Sequence, residues 1–209
     1  LGNPENEDYP DMAIVVADAS NLKRNLLLFS QVRDLGIPTV LALNMIDVAE
    51  TEGYVINSIK LARELNVEVA EINAKKGIGV GGLKLAVIKT LKHRYASNDA
   101  LPLPIAEDLI QDVQAEFGEA EPYRSLLWLM EHDRMKMFSK QQCETFDGIQ
   151  NKHQFSAKKY QSEETVKRYE QITEVVDRCV INLNRKWDAA PVRTWTDRLD
   201  KFFLHPVGG

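Results

Sequence analysis

Thr39-Val40-Leu41-Ala42-Leu43-Asn44-Met45-Ile46-Asp47 is the stretch on which the fold turns. An apolar run stops at Asn-x-x-Asp. A second run, Val67-Glu68-Val69-Ala70-Glu71-Ile72, stops at Asn73-Ala74-Lys75. Short apolar runs bounded by turn residues read as strands of a parallel sheet. Met12 to Ala17 reads the same way, as a strand buried on both faces. An open α/β sheet binds its ligand beyond the carboxyl ends of its strands. Both motifs therefore fall where such a site is expected.

The intervening segments read as helices. Ser20 is a plausible N-cap for a helix over about 22–35, with Leu22, Leu26, Phe29, Val32 and Leu35 on one face. Gly36-Ile37-Pro38 ends it and launches the next strand. Val55, Ile56, Ile59, Ala62 and Leu65 make a second amphipathic helix. Another runs from about Leu83 to Lys92. Right-handed crossovers make the three strands parallel. Residues 1–94 thus form one α/β unit.

Residues 95–104, with Asn98, Asp99, Pro102 and Pro104, read as a linker. Residues 105–209 read as an all-α domain without strands. Its helices span Ile105–Phe117, a segment starting at Pro122, about Glu163–Leu183, and a last one after Pro191. The expected stripe of the third helix is Val166, Tyr169, Ile172, Val176, Val180 and Leu183. The last helix carries Trp195, Leu199, Phe202 and Phe203. Asp147 to Lys159 is polar and reads as an exposed, mobile connection.

Bulk properties narrow the function. The chain has 209 residues, 44% hydrophobic and 27% charged, as in an ordinary globular protein. A formal net charge of -5 disfavours nucleic acid as partner. Cys143 and Cys179 lack metal-ligand spacing and read as reduced thiols. His93, His132, His153 and His205 share no spacing with one another or with a nearby acid, so no metal site is expected. No apolar stretch is long enough to span a membrane. The chain does not begin with Met, which reads as a piece of a longer protein.

The two loops suit guanine. The Asp47 carboxylate can accept from the ring N–H and the exocyclic amine of that base. Adenine offers no such donor pair, so a buried carboxylate facing it would be left unpaired. Asn44 braces the loop, the Ala74 N–H donates to the guanine oxygen, and Lys75 lays its stem on the base or holds the loop. Met45 stands where Asn-Lys-x-Asp has Lys; it keeps the apolar cover of the base and loses the charge. Ile46 completes the base-binding set of Asn44, Met45, Ile46, Asp47, Asn73, Ala74 and Lys75. Gly77-Ile78-Gly79-Val80-Gly81-Gly82 does not make a phosphate loop. Leu83 stands where Lys is required and no Ser or Thr follows. It reads as a turn and helix start. Asp18 reads as a polar strand end.

Ile14-Val15-Val16-Ala17-Asp18-Ala19-Ser20-Asn21-Leu22, Asn25-Leu26, Leu35-Gly36-Ile37-Pro38, Leu41 to Asp47 and Asn73-Ala74-Lys75-Lys76-Gly77 together resemble one family. It is the GTPase domain of the bacterial ferrous iron transporter FeoB. Met45 fits that family's habit at the Lys position. Thr196 to Lys201 and His205-Pro206 resemble its approach to the membrane. The resemblance implies the C-terminal half of a P-loop GTPase fold, three parallel strands with helices, followed by an all-α helical domain. It implies GTP or GDP as ligand, with Mg2+ in the parent protein. It also implies the membrane domain of the same protein as partner, scope for a homo-oligomer, and a place at the cytoplasmic face of the bacterial inner membrane. No Gly-x-x-x-x-Gly-Lys-Ser/Thr occurs in the 209 residues. The phosphate loop, the magnesium ligand and the switches are therefore expected upstream, with no catalytic residue and no GTP hydrolysis in this chain. Met12–Ala17 is then expected as an open apolar edge. The alternatives are a non-catalytic interaction module and a soluble regulatory GTPase.

Overall fold

The computed structural model describes residues 7–93, 107–118 and 120–183. The expected linker, Trp187, Trp195 and everything beyond Leu183 lie outside the described residues.

The centre is a three-stranded parallel sheet. Its strands are β1 (Ala13–Asp18), β2 (Thr39–Asn44) and β4 (Val69–Glu71), in the order β1-β2-β4. β1 pairs with β2 from Ala13↔Thr39 to Asp18↔Asn44, and β2 pairs with β4 through Leu41↔Val69 and Leu43↔Glu71. The first five residues of β2 are all buried, as a central parallel strand requires. β1 differs from the expectation of two buried faces. Val15 and Ala17 pack inward, while Ile14 and Val16 are 45% and 54% exposed. Among the described residues β1 pairs on one edge only, and nothing covers its second face fully.

A 3-10 turn, Ala19–Asn21, precedes α1 (Leu22–Asp34). The expected cap is corrected here. Asp18, not Ser20, caps this turn, accepting from the Ser20 N–H at 2.9 Å and from Ser20 Oγ at 2.8 Å. Gly36 turns the chain out of α1 at φ 77, a left-handed conformation that favours glycine. A Cβ there would also press on the Glu121 side chain.

Two short elements replace the start of the expected second helix. α2 (Ile46–Thr51) follows β2 directly, and β3 (Tyr54–Ile56) follows Gly53, where φ is 83. α3 (Ser58–Leu65) starts only at its Asn57 cap. Its buried residues are Leu61 and Leu65, whereas Ile59 is 68% exposed. α4 (Val80–His93) starts three residues earlier than expected.

The helices α5 (Glu107–Phe117) and α6 (Pro122–Glu131, Pro122 at its first position) follow the expected pattern. A 3-10 turn, His132–Arg134, follows α6. The expected mobile connection is instead α7 (Lys140–Lys152) and the start of α8 (Ala157–Cys179). Ser139 and Gln142 form a capping box, and Phe146 and Ile149 bury one face of α7. α8 ends at Cys179, and β5 (Val180–Asn182) pairs antiparallel with β3 through Val55↔Ile181. The second half is therefore not wholly α. Val180 and Leu183 satisfy helical spacing, but the free edge of β3 takes the chain as a strand. The buried face of α8 is Tyr160, Glu164, Arg168, Ile172, Val175, Val176 and Cys179, while Val166 is 57% exposed.

One apolar cluster joins Leu22, Leu26 and Phe29 of α1, Leu41 and Leu43 of β2, and Leu61 and Leu65 of α3 to Ile172, Val175, Val176 and Cys179 of α8. α8, which falls in the expected second unit, is thus part of the core of the first. No helix among the described residues is long and apolar enough to cross a membrane. Phe29→Ala should cost about 3–5 kcal/mol in denaturant unfolding, because the ring is fully buried. Val166→Ala should stay within about 0.5 kcal/mol. A comparable loss from both would contradict this seating of α8.

Candidate functional site

The carboxyl ends of β2 and β4 bring both polar loops together. Asn44 is the last residue of β2, and its Oδ1 accepts from the Ala74 N–H at 3.1 Å. Asn73 Nδ2 donates to Asp47 Oδ2 at 3.0 Å. Each Asn therefore ties its loop to the other. The Ile72 N–H donates to Leu43 O at 2.7 Å and holds the strand ends level.

Local geometry explains how each side chain is aimed. Met45 takes a left-handed conformation, φ 62, and forms the N-cap position of α2. This sharp exit from β2 places Asp47 in the first turn of α2, where the helix dipole favours an anion. Asp47 Oδ1 accepts from the Val48 N–H at 3.2 Å, and Thr51 Oγ1 donates to Asp47 O at 2.7 Å. Ile46 packs against the core below, and Met45 is 40% exposed above it.

The second loop closes on itself. The Asn73 N–H donates to Ile78 O at 2.9 Å, and the Ile78 N–H returns to Asn73 O at 3.2 Å. Asn73 Oδ1 accepts from the Lys76 N–H at 3.1 Å. Gly79 follows at φ 81, with no room for a Cβ against the backbone of Glu71. The glycine run is thus a turn into α4, as its sequence indicates.

Three particulars depart from the sequence reading. The Asp47 side chain is 53% exposed rather than buried. The Ala74 N–H, assigned to the guanine oxygen, is held by Asn44. Lys76 places its Nζ 3.6 Å from Asp47 Oδ2, while Lys75 is exposed. The sequence signals for Lys76 were its place beside Lys75 and within the Asn73–Gly77 stretch that carries the resemblance.

Asp18 ends β1 beside Asn44, and its turn packs against α2. Partial burial raises its pKa, but the side chains of Asn21 and Ser20 and their backbone N–H groups outweigh this and hold it low. The histidines find acids that spacing did not show. Buried His132 meets Leu129 O at 3.0 Å and Asp147 Oδ1 at 3.2 Å, and His153 meets Asp112 Oδ2 at 2.6 Å. No group of three or more His, Cys, Asp or Glu among the described residues is placed to hold a metal ion.

Residues 6–87 match the family model described as ferrous iron transport protein B. The chain is 29% identical over its full length to the Fe(2+) transporter FeoB of Leptospira biflexa, of which it spans 30%. It is 41% identical over 93 residues, 44% of the chain, to the Fe(2+) transporter FeoB of Escherichia coli, covering 11% of that protein. The cytosolic domain of L. pneumophila FeoB superposes with a TM-score of 0.63 at 26% identity, covering 84% of this chain and 70% of that one. A GDP-bound point mutant of the S. thermophilus FeoB G-domain gives 0.57 at 26% identity, over 83% and 71%. The parallel sheet with its helices is thus the fold of the FeoB G-domain.

Asp18 should titrate below an ordinary aspartate when followed by NMR. A depressed carboxylate stabilises above its unfolded pKa, so its contribution should be lost as pH falls from about 4 through its folded value. An ordinary midpoint would show that the hydrogen bonds to its carboxylate are not formed in solution.

Proposed function

We propose that this chain carries the guanine-reading half of a FeoB G domain, joined to a helical regulatory part. The observation that carries the reading is the pairing of the two loops, Ala74 N–H on Asn44 and Asn73 Nδ2 on Asp47, beyond adjacent parallel strands. The resemblance to a solved FeoB G-domain with GDP bound supports it.

Asp47 presents two acceptor oxygens to the ring N–H and amine of guanine. Its exposure lets a base reach it, and the docked base then shields it from water. The Val48 N–H takes one lone pair of Oδ1 and Asn73 Nδ2 takes one of Oδ2, which leaves one on each oxygen for this purpose. The Ala74 N–H turns from Asn44, or is shared with it, to meet the guanine oxygen. Met45 covers one face of the base, and Lys75 lays its stem along the loop. Ile46 anchors the loop from below.

In the parent protein, guanine nucleotide binding and GTP hydrolysis serve ferrous iron uptake at the cytoplasmic face of the bacterial inner membrane. The membrane domain of the same protein is the partner, and a homo-oligomer is compatible with this. The division into 1–94, a linker over 95–104 and 105–209 belongs to this reading, with α8 seated across the boundary. No group of three or more His, Cys, Asp or Glu among the described residues is placed to hold a metal ion, and this reading assigns the magnesium ligands, phosphate loop and switches to another part of the parent protein. This chain alone then does not hydrolyse GTP. The naming of the curated relatives as transporters favours this over a soluble regulatory GTPase.

Calorimetric titration of GDP and ATP tests the reading, using this chain and one extended upstream through the phosphate-binding segment. GDP should bind the extended chain in preference to ATP, and this chain weakly or not at all. Equal binding of GDP and ATP by the extended chain would remove the guanine assignment. Met45→Lys in the extended chain should tighten GDP roughly threefold to tenfold, the yield of about 1 kcal/mol from one restored polar contact. No change would show that Met45 does not stand over the nucleotide.

A further inference from the structure

The C-terminal end of α1 is gripped by charged side chains from two other helices. Arg168 of α8 is 1% exposed and lies between two carboxylates. Its Nη1 donates to Asp34 Oδ2, on the last residue of α1, at 2.5 Å. Its Nε donates to Glu164 Oε1, one turn back on α8. The guanidinium also sits 5.2 Å from the ring centroid of Tyr123 on α6. Arg124, next on α6, donates from Nη2 to Leu35 O at 2.5 Å and to the Tyr9 hydroxyl at 2.5 Å.

This junction is a poor device for stability. Two carboxylates and two guanidinium groups are taken from water, and replacing such groups by apolar ones is often neutral or stabilising. Asp34 Oδ1, Arg168 Nη2, Arg124 Nε and Tyr160 OH are buried here without a hydrogen-bond partner. They are four of the six such side-chain atoms among the described residues, so most of the cost falls in one place. Burial pushes Asp34 upward against the pull of Arg168, and pushes the Tyr123 hydroxyl up to about 12.

What the junction does supply is direction. The apolar contacts of Ile172, Val175, Val176 and Cys179 on α8 with α1 supply burial, whose attraction is non-directional. A buried guanidinium held to a carboxylate on the other helix is directional. A slip of α8 by one turn, about 5.4 Å, carries Glu164 along with Arg168 but breaks the Asp34 arm and leaves that carboxylate buried and unpaired. We infer that the Asp34–Arg168–Glu164 junction is an orientation lock, which selects one seating of α6 and α8 on α1 and so fixes the helical half against the sheet. The lock does not depend on nucleotide binding.

The test separates orientation from stability. Spin labels at Leu28 of α1 and Lys167 of α8, both exposed, report the seating by pulsed EPR, with Cys143 and Cys179 replaced by Ala. The parent should give one narrow distance distribution. The apolar exchange Asp34→Leu with Glu164→Leu and Arg168→Met should fold but give a broadened or doubled distribution. A distribution as narrow as the parent's would overturn the inference. Arg168→Lys keeps the charge and loses the fork, and serves where the triple exchange does not fold. Its amides in α6 and the first half of α8 should exchange at least tenfold faster, with those of β2 unchanged. No change, or equal acceleration throughout, would reduce the junction to an ordinary packing element.

Discussion

The pairing of β2 on both of its edges is the constraint from which the rest follows. Both ladders run parallel, so the carboxyl ends of β1, β2 and β4 finish at one rim. The register sets Asp18 beside Asn44 and Leu43 beside Glu71. From there the left-handed Met45 and the closed loop 73–78 need only a few residues to bring four side chains within reach of one another. Full burial of Val40 to Leu43 makes this register costly to change, since both faces of the strand are close-packed and a slip would have to repack them together.

The second consequence concerns α8. The sheet alone has too few neighbours to bury Leu41, Leu43 and Phe29, and α8 arrives from more than a hundred residues away to complete the cluster. The two halves of the chain therefore fold around a common core. The polar junction at the end of α1 gives that shared core an address, while the apolar face supplies the burial. A ligand that alters the seating of α2 or the 18–21 turn presses on the start of the same helix whose end the junction holds.

What the residues disclosed unaided follows physical lines. Long apolar runs, the Gly36-Ile37-Pro38 break and Pro122 were legible because strand burial and backbone restriction act locally. The site loops were legible because Asn-x-x-Asp and Asn-Ala-Lys stand at strand ends. β3 and β5 were not, since each three-residue strand is stable only through the other, and Val180 and Leu183 also fit helical spacing. The phase of α3 was misread because Ile59 is apolar yet faces water, while Leu61 and Leu65 carry the burial. α7 was misread because only Phe146 and Ile149 of its 13 residues are buried, and a polar helix on a small apolar stripe looks like a loop. Lys76 and the acids facing His132 and His153 come from tertiary proximity, which no local pattern contains.

In the proposed function the Asp47 carboxylate reads the base. The most direct measurement is the preference of Asp47→Asn for guanosine or xanthosine diphosphate, in the chain extended through its phosphate-binding segment. Xanthine carries a carbonyl where guanine carries an amine, and an amide at position 47 offers it a donor in place of an acceptor. The variant should lose GDP and gain XDP. An unchanged ratio of the two affinities would contradict that role.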